Sequence, residues 1–305
     1  MKTGRTFGIL LVLTAAGLLM ASCSIVQKGA DVLTAQGKMS EKDRDALVKT
    51  SEAVRSTFSE INEEEEYYIG RAVAAMILSR YAPYRNDALN LYVNTVGNAV
   101  AVYSDRPEIY AGWHFLVLDT EEVNALAAPG GMIFITKGLL RRCRDEESLG
   151  MVLAHEVGHV CAKHGLQSIK KSRLVDAFKL IGQEAVQRYS PEKLAQLTNV
   201  FEGVLGDIAE QLIERGYDRK LEYQADGLAV KFGVKTGLDP NGIQSFLKTL
   251  VGDSSSTSGK GWFKTHPTPE SRMDSLEKTI GSLAAPPKTE AVRTDRFKRY
   301  TSSLK

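Results

Sequence analysis

The chain has 305 residues, of which 43% are hydrophobic and 25% charged, and its formal net charge is +2. This length and composition suffice for a globular domain with a sizeable core, and they exclude wholesale disorder. No basic stripe with interleaved aromatic residues occurs, so we expect no nucleic-acid partner.

The N-terminus predicts an export signal. Lys2 and Arg5 precede an apolar run over residues 7–20, which is of signal-peptide length and shorter than most membrane spans. The run ends in Met20-Ala-Ser-Cys23, which resembles the lipobox of bacterial lipoproteins, whose cysteine is acylated and becomes the mature N-terminus. We therefore predict a lipoprotein signal peptide over residues 1–22 and lipidation of Cys23. The alternatives are an ordinary cleaved signal and an uncleaved anchor helix.

The residues after Cys23 predict where the protein resides. Ser24 stands where an aspartate would favour inner-membrane retention, so the lipobox resemblance implies a periplasmic protein anchored to the outer membrane. Residues 23–60 are polar and poor in aromatics, which is typical of a spacer. Removing residues 1–22 would lower the net charge from +2 to 0, because they hold two basic and no acidic residues. No later run of eighteen apolar residues occurs, so we expect the lipid to be the attachment to the membrane.

A helix is predicted from Asn62, whose side chain can cap it. The following glutamates, Glu63 to Glu66, suit the positive end of the helix dipole. They point in four directions on a helix, so we expect them to be solvated rather than to form a metal-binding cluster. The apolar face of this helix would contain Tyr68, Ala72, Val73, Met76 and Ile77.

The period of the sequence changes to that of β-strands over residues 113–136. Residues 113–118 and 131–136 each read as a strand, and a turn-bearing connection joins them. An extended edge here could hold a polypeptide in extended conformation by adding it to the sheet; the alternative is an ordinary hairpin that only supports a neighbouring helix. The candidate substrate-binding residues are Asn124, Ala125, Pro129, Gly130 and Gly131.

The stretch from Val152 to Val160 carries the strongest chemical signal. His155 and His159 are four residues apart and share a helical face, while Glu156 lies one step further round, where it could contact a bound water. Two neutral imidazoles with an adjacent carboxylate are what a hydrolytic zinc site needs. The alternative is a chance spacing of two core histidines. We expect this helix to begin near residue 145 and to continue to about residue 164.

A third metal ligand has to come from elsewhere in the chain. A metzincin would have a histidine where Gly165 stands, and His164 is one residue short, so we expect His164 either to support the site without binding the metal or to lie at the surface. Glu222 and Asp226 are four residues apart, so one carboxylate could bind zinc while the other orients a ligand imidazole. The alternative is a solvated acidic pair on a surface helix. Further glutamates in the helical segment before this pair are Glu184, Glu192, Glu202, Glu210 and Glu214.

Together these motifs resemble the HtpX-like and CAAX-prenyl-protease-like family of gluzincin metalloproteases, in its soluble exported branch. The resemblance covers about residues 62–280 and rests on His155-Glu-Val-Gly-His159, Glu222-Tyr-Gln-Ala-Asp226, the stretch from Asn124 to Gly131, and His266-Pro267 with Arg272. It implies that His155, His159 and Glu222 bind one Zn²⁺ ion, that Glu156 is the catalytic base, and that the stretch from Asn124 to Gly131 is the substrate-side edge. It also implies an α+β fold over residues 61–283, a mainly helical zincin-type domain with a small mixed β-sheet beside the active-site helix.

The element around His266 leaves several roles open. In related proteases this His-Pro element lies near the metal, so His266 could stabilise the tetrahedral intermediate or cover the zinc as a fourth ligand in a resting state. The alternative is a packing histidine before the last helix. Arg272 could bind a carboxylate near the site or only a helix terminus.

The predicted function is that of a zinc metalloendopeptidase of the bacterial envelope. Unlike HtpX and the prenyl proteases, the chain carries no membrane helix after its signal, which favours misfolded or outer-membrane proteins as substrates. The alternative is a chaperone or assembly factor that works with the outer-membrane assembly machinery and whose cleavage is repressed by a His266 lid.

Two features of the sequence concern stability and solubility. Cys143 and Cys161 could form a disulfide or remain buried free thiols. Residues 284–305 hold six basic and two acidic residues, and we expect a solvated basic tail.

Overall fold

The computed structural model describes residues 61–167, 202–251, 268–283, 287–288 and 290–304, together with Thr34, Ser40, Glu41, Asp45 and His266. The predicted signal peptide, Cys23 and nearly all of the predicted spacer lie outside these residues. The described residues from Ile61 onward belong to one compact unit. Among the described residues, no helix combines the length and the apolarity that crossing a bilayer requires.

The first helix, α1 (Glu63–Arg80), begins at the predicted cap. The Asn62 side chain accepts a hydrogen bond from the Glu65 N–H at 2.9 Å, and the Glu65 carboxylate accepts one from the Asn62 N–H at 3.0 Å. The apolar face agrees with the prediction in part, since Val73 and Ile77 are buried but Tyr68 and Met76 are exposed.

The prediction of four solvated glutamates was wrong for Glu66, whose side chain is buried. Its Oε1 accepts hydrogen bonds from the Gly130 N–H at 3.1 Å and from the Arg106 guanidinium at 3.0 Å. This contact fixes helix α1 against the turn at residues 129–131. An alanine at Gly70 would bring its Cβ within 1.9 Å of the Pro129 carbonyl oxygen, so only glycine allows the helix to approach this turn so closely.

A mixed three-stranded sheet follows helix α2 (Asp87–Ala101). Its strands are β1 (His114–Leu118), β2 (Ala125–Ala128) and β3 (Met132–Thr136), in the order β1-β3-β2. Strand β1 pairs with β3 in parallel, and β2 pairs with β3 antiparallel. The two predicted strands are confirmed, and the connection between them forms a third strand and a 3₁₀ turn, Pro129–Gly131.

The core is organised around helix α4 (Glu146–Cys161), which follows the short helix α3 (Lys137–Arg142). Asp145 caps helix α4 through the Ser148 N–H at 2.8 Å, and every residue of the helix except Cys161 is buried. The helix ends earlier than predicted, because Lys163 adopts a φ of 55° and breaks the chain before the single turn α5 (His164–Gln167). Helix α4 packs against α2.

The two cysteines lie at opposite ends of this helix and are both free thiols. Helix α4 has 16 residues. At about 1.5 Å per residue such a helix spans about 24 Å, far beyond the Cα separation that a disulfide allows. Of the two alternatives for Cys143 and Cys161, the structure therefore has free thiols.

The rest of the fold is helical. After α6 (residues 202–210) and a π-helical turn, Gln211–Arg215, come α7 (Arg219–Thr236), α8 (Asn241–Leu250), α9 (Pro269–Gly281) and α10 (Ala291–Thr301). Helices α7, α8 and α10 pack against α4. A mainly helical domain with a small mixed sheet confirms the predicted α+β class.

The prediction of a solvated tail over residues 284–305 was wrong for the described part of that stretch. Helix α10 buries Phe297, and its Arg296 and Arg293 pair with the buried carboxylates of Glu146 and Glu147 at the first turn of α4. These basic residues therefore neutralise buried acidic groups and hold the C-terminal helix to the core.

Candidate metal centre and active site

Two helices bring the candidate ligands together. His155 and His159 face α7 from the buried helix α4, and Glu222 faces them from the first turn of α7. Small residues permit this approach: a Cβ on Gly158 would lie 3.2 Å from the Ala225 carbonyl oxygen. A Cβ on Gly227, two residues after Ala225, would meet nothing within 4 Å.

Four side chains offer donor atoms that lie within 4.8 Å of one another, and all four are buried: His155, His159, Glu222 and His266. The two helical imidazoles place their Nε2 atoms 3.0 Å apart. The Glu222 carboxylate lies 3.5 Å from His155 Nε2 and 3.4 Å from His159 Nε2. Donors about 2.1 Å from a tetrahedral zinc ion would be about 3.4 Å apart, so these three groups fit such an ion.

The electrostatics of the cluster also favour a positive charge. Burial lowers the pKa of His159 to about 3, so this imidazole is neutral. Burial raises the pKa of Glu222, but the neighbouring His266 and hydrogen bonds from three imidazoles outweigh it and bring that pKa well below its usual range. Burial and the charge of Arg272 lower the pKa of His155, yet hydrogen bonds with its two carboxylate neighbours raise it to about 9. The cluster therefore attracts positive charge.

Asp226 and Arg272 contact His155 on the side of its ring that faces away from the other donor atoms. His155 Nδ1 lies 3.0 Å from Asp226 Oδ1, while its Nε2 faces the other donors. The Arg272 guanidinium donates to both Asp226 oxygens, at 2.6 and 3.0 Å, and Arg272 is itself buried. Of the two roles predicted for Arg272, the structure has the carboxylate contact near the site. Such a contact fixes the tautomer and orientation of an imidazole.

Glu156 lies next to this cluster and is buried. Its Oε1 has no hydrogen-bond partner among the described residues. Burial raises the pKa of Glu156 to about 7. The positive charges of His155 and Arg272 oppose this rise, and the negative charge of Glu222 adds to it. A carboxyl with such a pKa can both accept and return a proton near neutral pH.

His266 reaches the cluster from outside α4 and α7. Its Nδ1 lies 2.8 Å from Glu222 Oε2, and its ring centroid is 5.5 Å from that of His155. His266 therefore lies among the candidate metal ligands, which is the position that a role as fourth ligand requires.

Two residues at the site, Tyr217 and Gln224, were not predicted from the sequence, and the position of His164 was left open. Tyr217 stacks on His159, with ring centroids 4.4 Å apart and an angle of 19° between the planes. His164 Nδ1 lies 2.9 Å from His159 Nδ1, and its Nε2 lies 3.3 Å from the Gln224 amide oxygen. The sequence left His164 between a supporting and a surface position, and the structure places it buried behind a candidate ligand. No spacing rule would have identified Tyr217 or Gln224.

The predicted substrate edge lies beside the donor cluster at one end only. Ala127, Pro129, His159 and Gly165 line one small recess. Asn124 lies at the other end of strand β2, where its N–H and C=O are hydrogen-bonded to the Thr136 hydroxyl. The whole strand from Ala125 to Ala128 is buried.

Comparison with known proteins agrees with this geometry. The model of "Peptidase family M48" matches residues 87–280, which is more than half of the chain. The chain belongs to peptidase family M48. The fold, the donor cluster and the buried Glu156 are therefore those of a member of a metalloprotease family.

Several curated relatives are similar over the same region. The beta-barrel assembly-enhancing protease of Escherichia coli (strain K12) is 28% identical over 198 residues, which are 63% of this chain and 39% of that protein. The mitochondrial metalloendopeptidase OMA1 of Bos taurus is 26% identical over 172 residues, which are 55% of this chain and 32% of that protein. The corresponding protein of Schizosaccharomyces pombe is 22% identical over 234 residues, 74% of this chain and 64% of that protein. In all three, the match spans less than two thirds of the relative's length.

Proposed function

We propose that this protein is a zinc metalloendopeptidase with a gluzincin site, in which His155, His159 and Glu222 hold the metal. The observation that carries the proposal is the buried set of two imidazoles and one carboxylate, with donor atoms 3.0 to 3.5 Å apart. Membership of peptidase family M48 supports the reaction class. The chemistry that a bound zinc ion supplies is polarisation of a carbonyl oxygen and a lower pKa for a water molecule.

The residues of the chain perform the proton transfers. Glu156 accepts the proton of the attacking water and returns it to the leaving amine, for which a pKa of about 7 is suited. Asp226 holds the Nδ1 side of His155, so the opposite nitrogen stays directed at the metal. Residues Asn124, Ala125, Pro129, Gly130 and Gly131 are the proposed substrate edge, with the Pro129 end nearest to His159.

The proposed substrates are polypeptides in extended conformation in the bacterial envelope, among them misfolded or outer-membrane proteins. The name of the Escherichia coli relative, a beta-barrel assembly-enhancing protease, supports this choice and a link to outer-membrane assembly machinery. A lipid on Cys23 would hold the protein to the outer membrane from the periplasmic side. Within the family, these features favour a soluble exported branch related to the HtpX-like and CAAX-prenyl-protease-like enzymes.

One observation favours a second candidate function. His266 Nδ1 lies 2.8 Å from Glu222 and within the donor set, where it would occupy a fourth metal position. A zinc ion with four protein ligands has no open position for substrate, as in structural sites. The second candidate is therefore a chaperone or assembly factor that binds polypeptide while His266 represses cleavage.

The test is cleavage of reduced casein by the purified chain, beside Glu156→Gln and His266→Ala, with the zinc content of each measured. We expect the parent to cleave and Glu156→Gln to retain zinc without cleaving. Cleavage by His266→Ala alone would indicate an enzyme gated by His266. Full zinc content without cleavage in any of the three would favour the binding factor.

A further inference from the structure

Three tyrosine rings meet at the surface near the start of helix α1, and we call them the tyrosine cluster. The centroid of the Tyr67 ring lies 5.3 Å from that of Tyr68 and 5.4 Å from that of Tyr110. The centroids of the Tyr68 and Tyr110 rings are 6.5 Å apart, and these two residues are 51% and 52% exposed. Tyrosine is enriched in binding surfaces, and exposed rings that are grouped rather than scattered indicate such a surface.

The tyrosine cluster is fixed to the turn that follows strand β2. A Cβ built on Gly130 would lie 2.8 Å from the Tyr67 Cα, so the backbone of α1 touches the turn at this point. A Cβ built on Gly131 would overlap the side chain of Ile109, the residue before Tyr110. The two segments that carry the rings therefore both pack against the same turn.

This turn is the end of the proposed substrate edge that lies nearest to the metal ligands. Pro129, its first residue, lines a recess together with His159. A polypeptide that follows strand β2 toward the ligands and continues past Pro129 would next meet the tyrosine cluster. Because an extended chain advances about 3.3 Å per residue, about six residues suffice to reach from the scissile bond to these rings.

The charge beside the rings favours a basic partner. The Glu64 carboxylate accepts a hydrogen bond from the Tyr110 hydroxyl at 3.2 Å, and it belongs to the run from Glu63 to Glu66 in the first turn of α1. Arg106 pairs with two members of this run at 3.0 and 3.3 Å, and Lys163 lies 3.9 Å from one of them. Four carboxylates thus face two cations, so negative charge is in excess.

One ring of the cluster already attracts a cation of the chain itself. The Arg71 guanidinium carbon lies 5.8 Å from the centroid of the Tyr67 ring, within the range of a cation–π interaction. Even with Arg71 counted, the carboxylates outnumber the cations. Over the part of the chain that the structure describes, no cation lies over the ring of Tyr68 or of Tyr110, so these two rings remain open to a ligand.

We propose that the tyrosine cluster is a substrate subsite that binds a lysine or arginine side chain of an extended polypeptide, beyond the scissile bond. The inference rests on the proposed function and adds a specificity to it. The rings would hold the cation by cation–π attraction, and the Glu64 carboxylate would pair with it. At an exposed site, these two contacts together favour a basic side chain about 3–10-fold over a neutral one.

The experiment uses fluorogenic peptides in which one arginine occupies, in turn, each position up to about six residues on either side of the scissile bond. At each position, citrulline, glutamate and phenylalanine replace the arginine in parallel peptides. Citrulline has the shape of arginine without its charge. The value of kcat/KM is measured for the full chain, for the double variant Tyr68→Ala/Tyr110→Ala, and for Glu64→Gln. The matched control is Tyr103→Ala, because Tyr103 is 49% exposed and belongs to no ring pair among the described residues.

The same peptides, labelled and without the fluorogenic quencher, give a second measurement that does not depend on cleavage. Their Kd is determined by fluorescence anisotropy with zinc-loaded Glu156→Gln, and again after the tyrosine substitutions are added to that variant. Tm of every variant is recorded, and we expect it to change little because the replaced side chains are exposed.

We expect arginine to be preferred over citrulline about 3–10-fold at one or two neighbouring positions on one side of the scissile bond, in kcat/KM and in Kd. At those positions the ratio should fall to about one in Tyr68→Ala/Tyr110→Ala, fall in part in Glu64→Gln, and stay unchanged in Tyr103→Ala. High salt should reduce the preference of the parent, because the contacts are exposed.

Four results would overturn the proposal: no position at which arginine exceeds citrulline, a preference for phenylalanine instead, a preference that the double variant keeps, or an equal loss in Tyr103→Ala. If the parent cleaves no peptide, the proposed function fails, and the anisotropy measurement decides separately. Equal Kd for the arginine and citrulline peptides would then refute the subsite, whereas an arginine preference that the double variant loses would support it without cleavage.

Discussion

Replacing Arg272 with methionine should destabilise the protein and weaken metal binding together. Arg272 lies in α9 and Asp226 in α7, and their ion pair stands directly behind His155. Methionine keeps much of the apolar volume of arginine but removes the charge and every hydrogen-bond donor. The Asp226 carboxylate would then remain buried with His155 as its remaining contact at 3.0 Å.

The structure indicates a large effect. Asp226 is only 2% exposed and would lose two charge-assisted hydrogen bonds, of 2.6 and 3.0 Å. Removing one partner of a buried ion pair costs about 3–5 kcal/mol. Burial raises the pKa of Asp226, but the charge of Arg272 and the contacts with His155 lower it from 3.8 to about 2. A pKa lowered by about two units corresponds to about 2–3 kcal/mol, which is the same order.

The pH dependence has a definite sign. Because the folded-state pKa of Asp226 is lowered, its contribution to stability is complete above the unfolded value of 3.8 and is lost as the pH falls toward about 2. The difference in unfolding free energy between the parent and Arg272→Met should therefore narrow as the pH falls below 4.

Urea unfolding in EDTA measures the stability, and competition with a chelator measures the zinc Kd. We expect Arg272→Met to lose about 3–5 kcal/mol and its zinc Kd to rise about 10–100-fold, since Asp226 would orient His155 less firmly. Arg80→Met is the control, because Arg80 and its partner Glu214 have side chains that are 54% and 42% exposed; it should change stability by less than about 0.5 kcal/mol. A loss for Arg272→Met no larger than that of the control would refute the buried pair.

Two further predictions concern helix α1 and its contact with the turn at residues 129–131. Gly70→Ala should prevent that contact and destabilise the protein by more than about 2 kcal/mol, because its Cβ would overlap the Pro129 carbonyl. The control Gly227→Ala, with open space around it, should be neutral or stabilise by up to about 1 kcal/mol. Equal effects of the two substitutions in thermal unfolding would contradict this. Glu66→Gln should lower the urea midpoint by the equivalent of about 1–3 kcal/mol, since Glu66 is 1% exposed, while the exposed Glu63→Gln should leave it nearly unchanged. A midpoint for Glu66→Gln equal to that of the parent would show that this carboxylate does not fix the turn.

Local sequence determined the elements that depend on neighbouring residues. The Asn62 cap and the 3.6-residue period specify α1 and α4, and the four-residue spacings put His155 beside His159 and Glu222 beside Asp226. The α+β class and the two strands could be predicted for the same reason, because each pattern repeats within a few residues. The sequence also contained the donor types that bind zinc, so the candidate ligands could be named before any contact was known.

Only the tertiary structure decided which of these groups meet and which charges are buried. Glu66 lies in a run of four glutamates, yet it alone faces the turn at residues 129–131, because the orientation of α1 depends on contacts with distant residues. The sequence predicted that the basic residues near the C-terminus are solvated, whereas in the structure Arg296 and Arg293 pair with the carboxylates of Glu146 and Glu147. Tyr217 gave no signal in the sequence, since its contact with His159 forms only where the residues before α7 pack against α4. The spacing of residues in the sequence predicts which face of its own helix a side chain lies on. Which side chain it contacts on a neighbouring helix depends on how the helices pack.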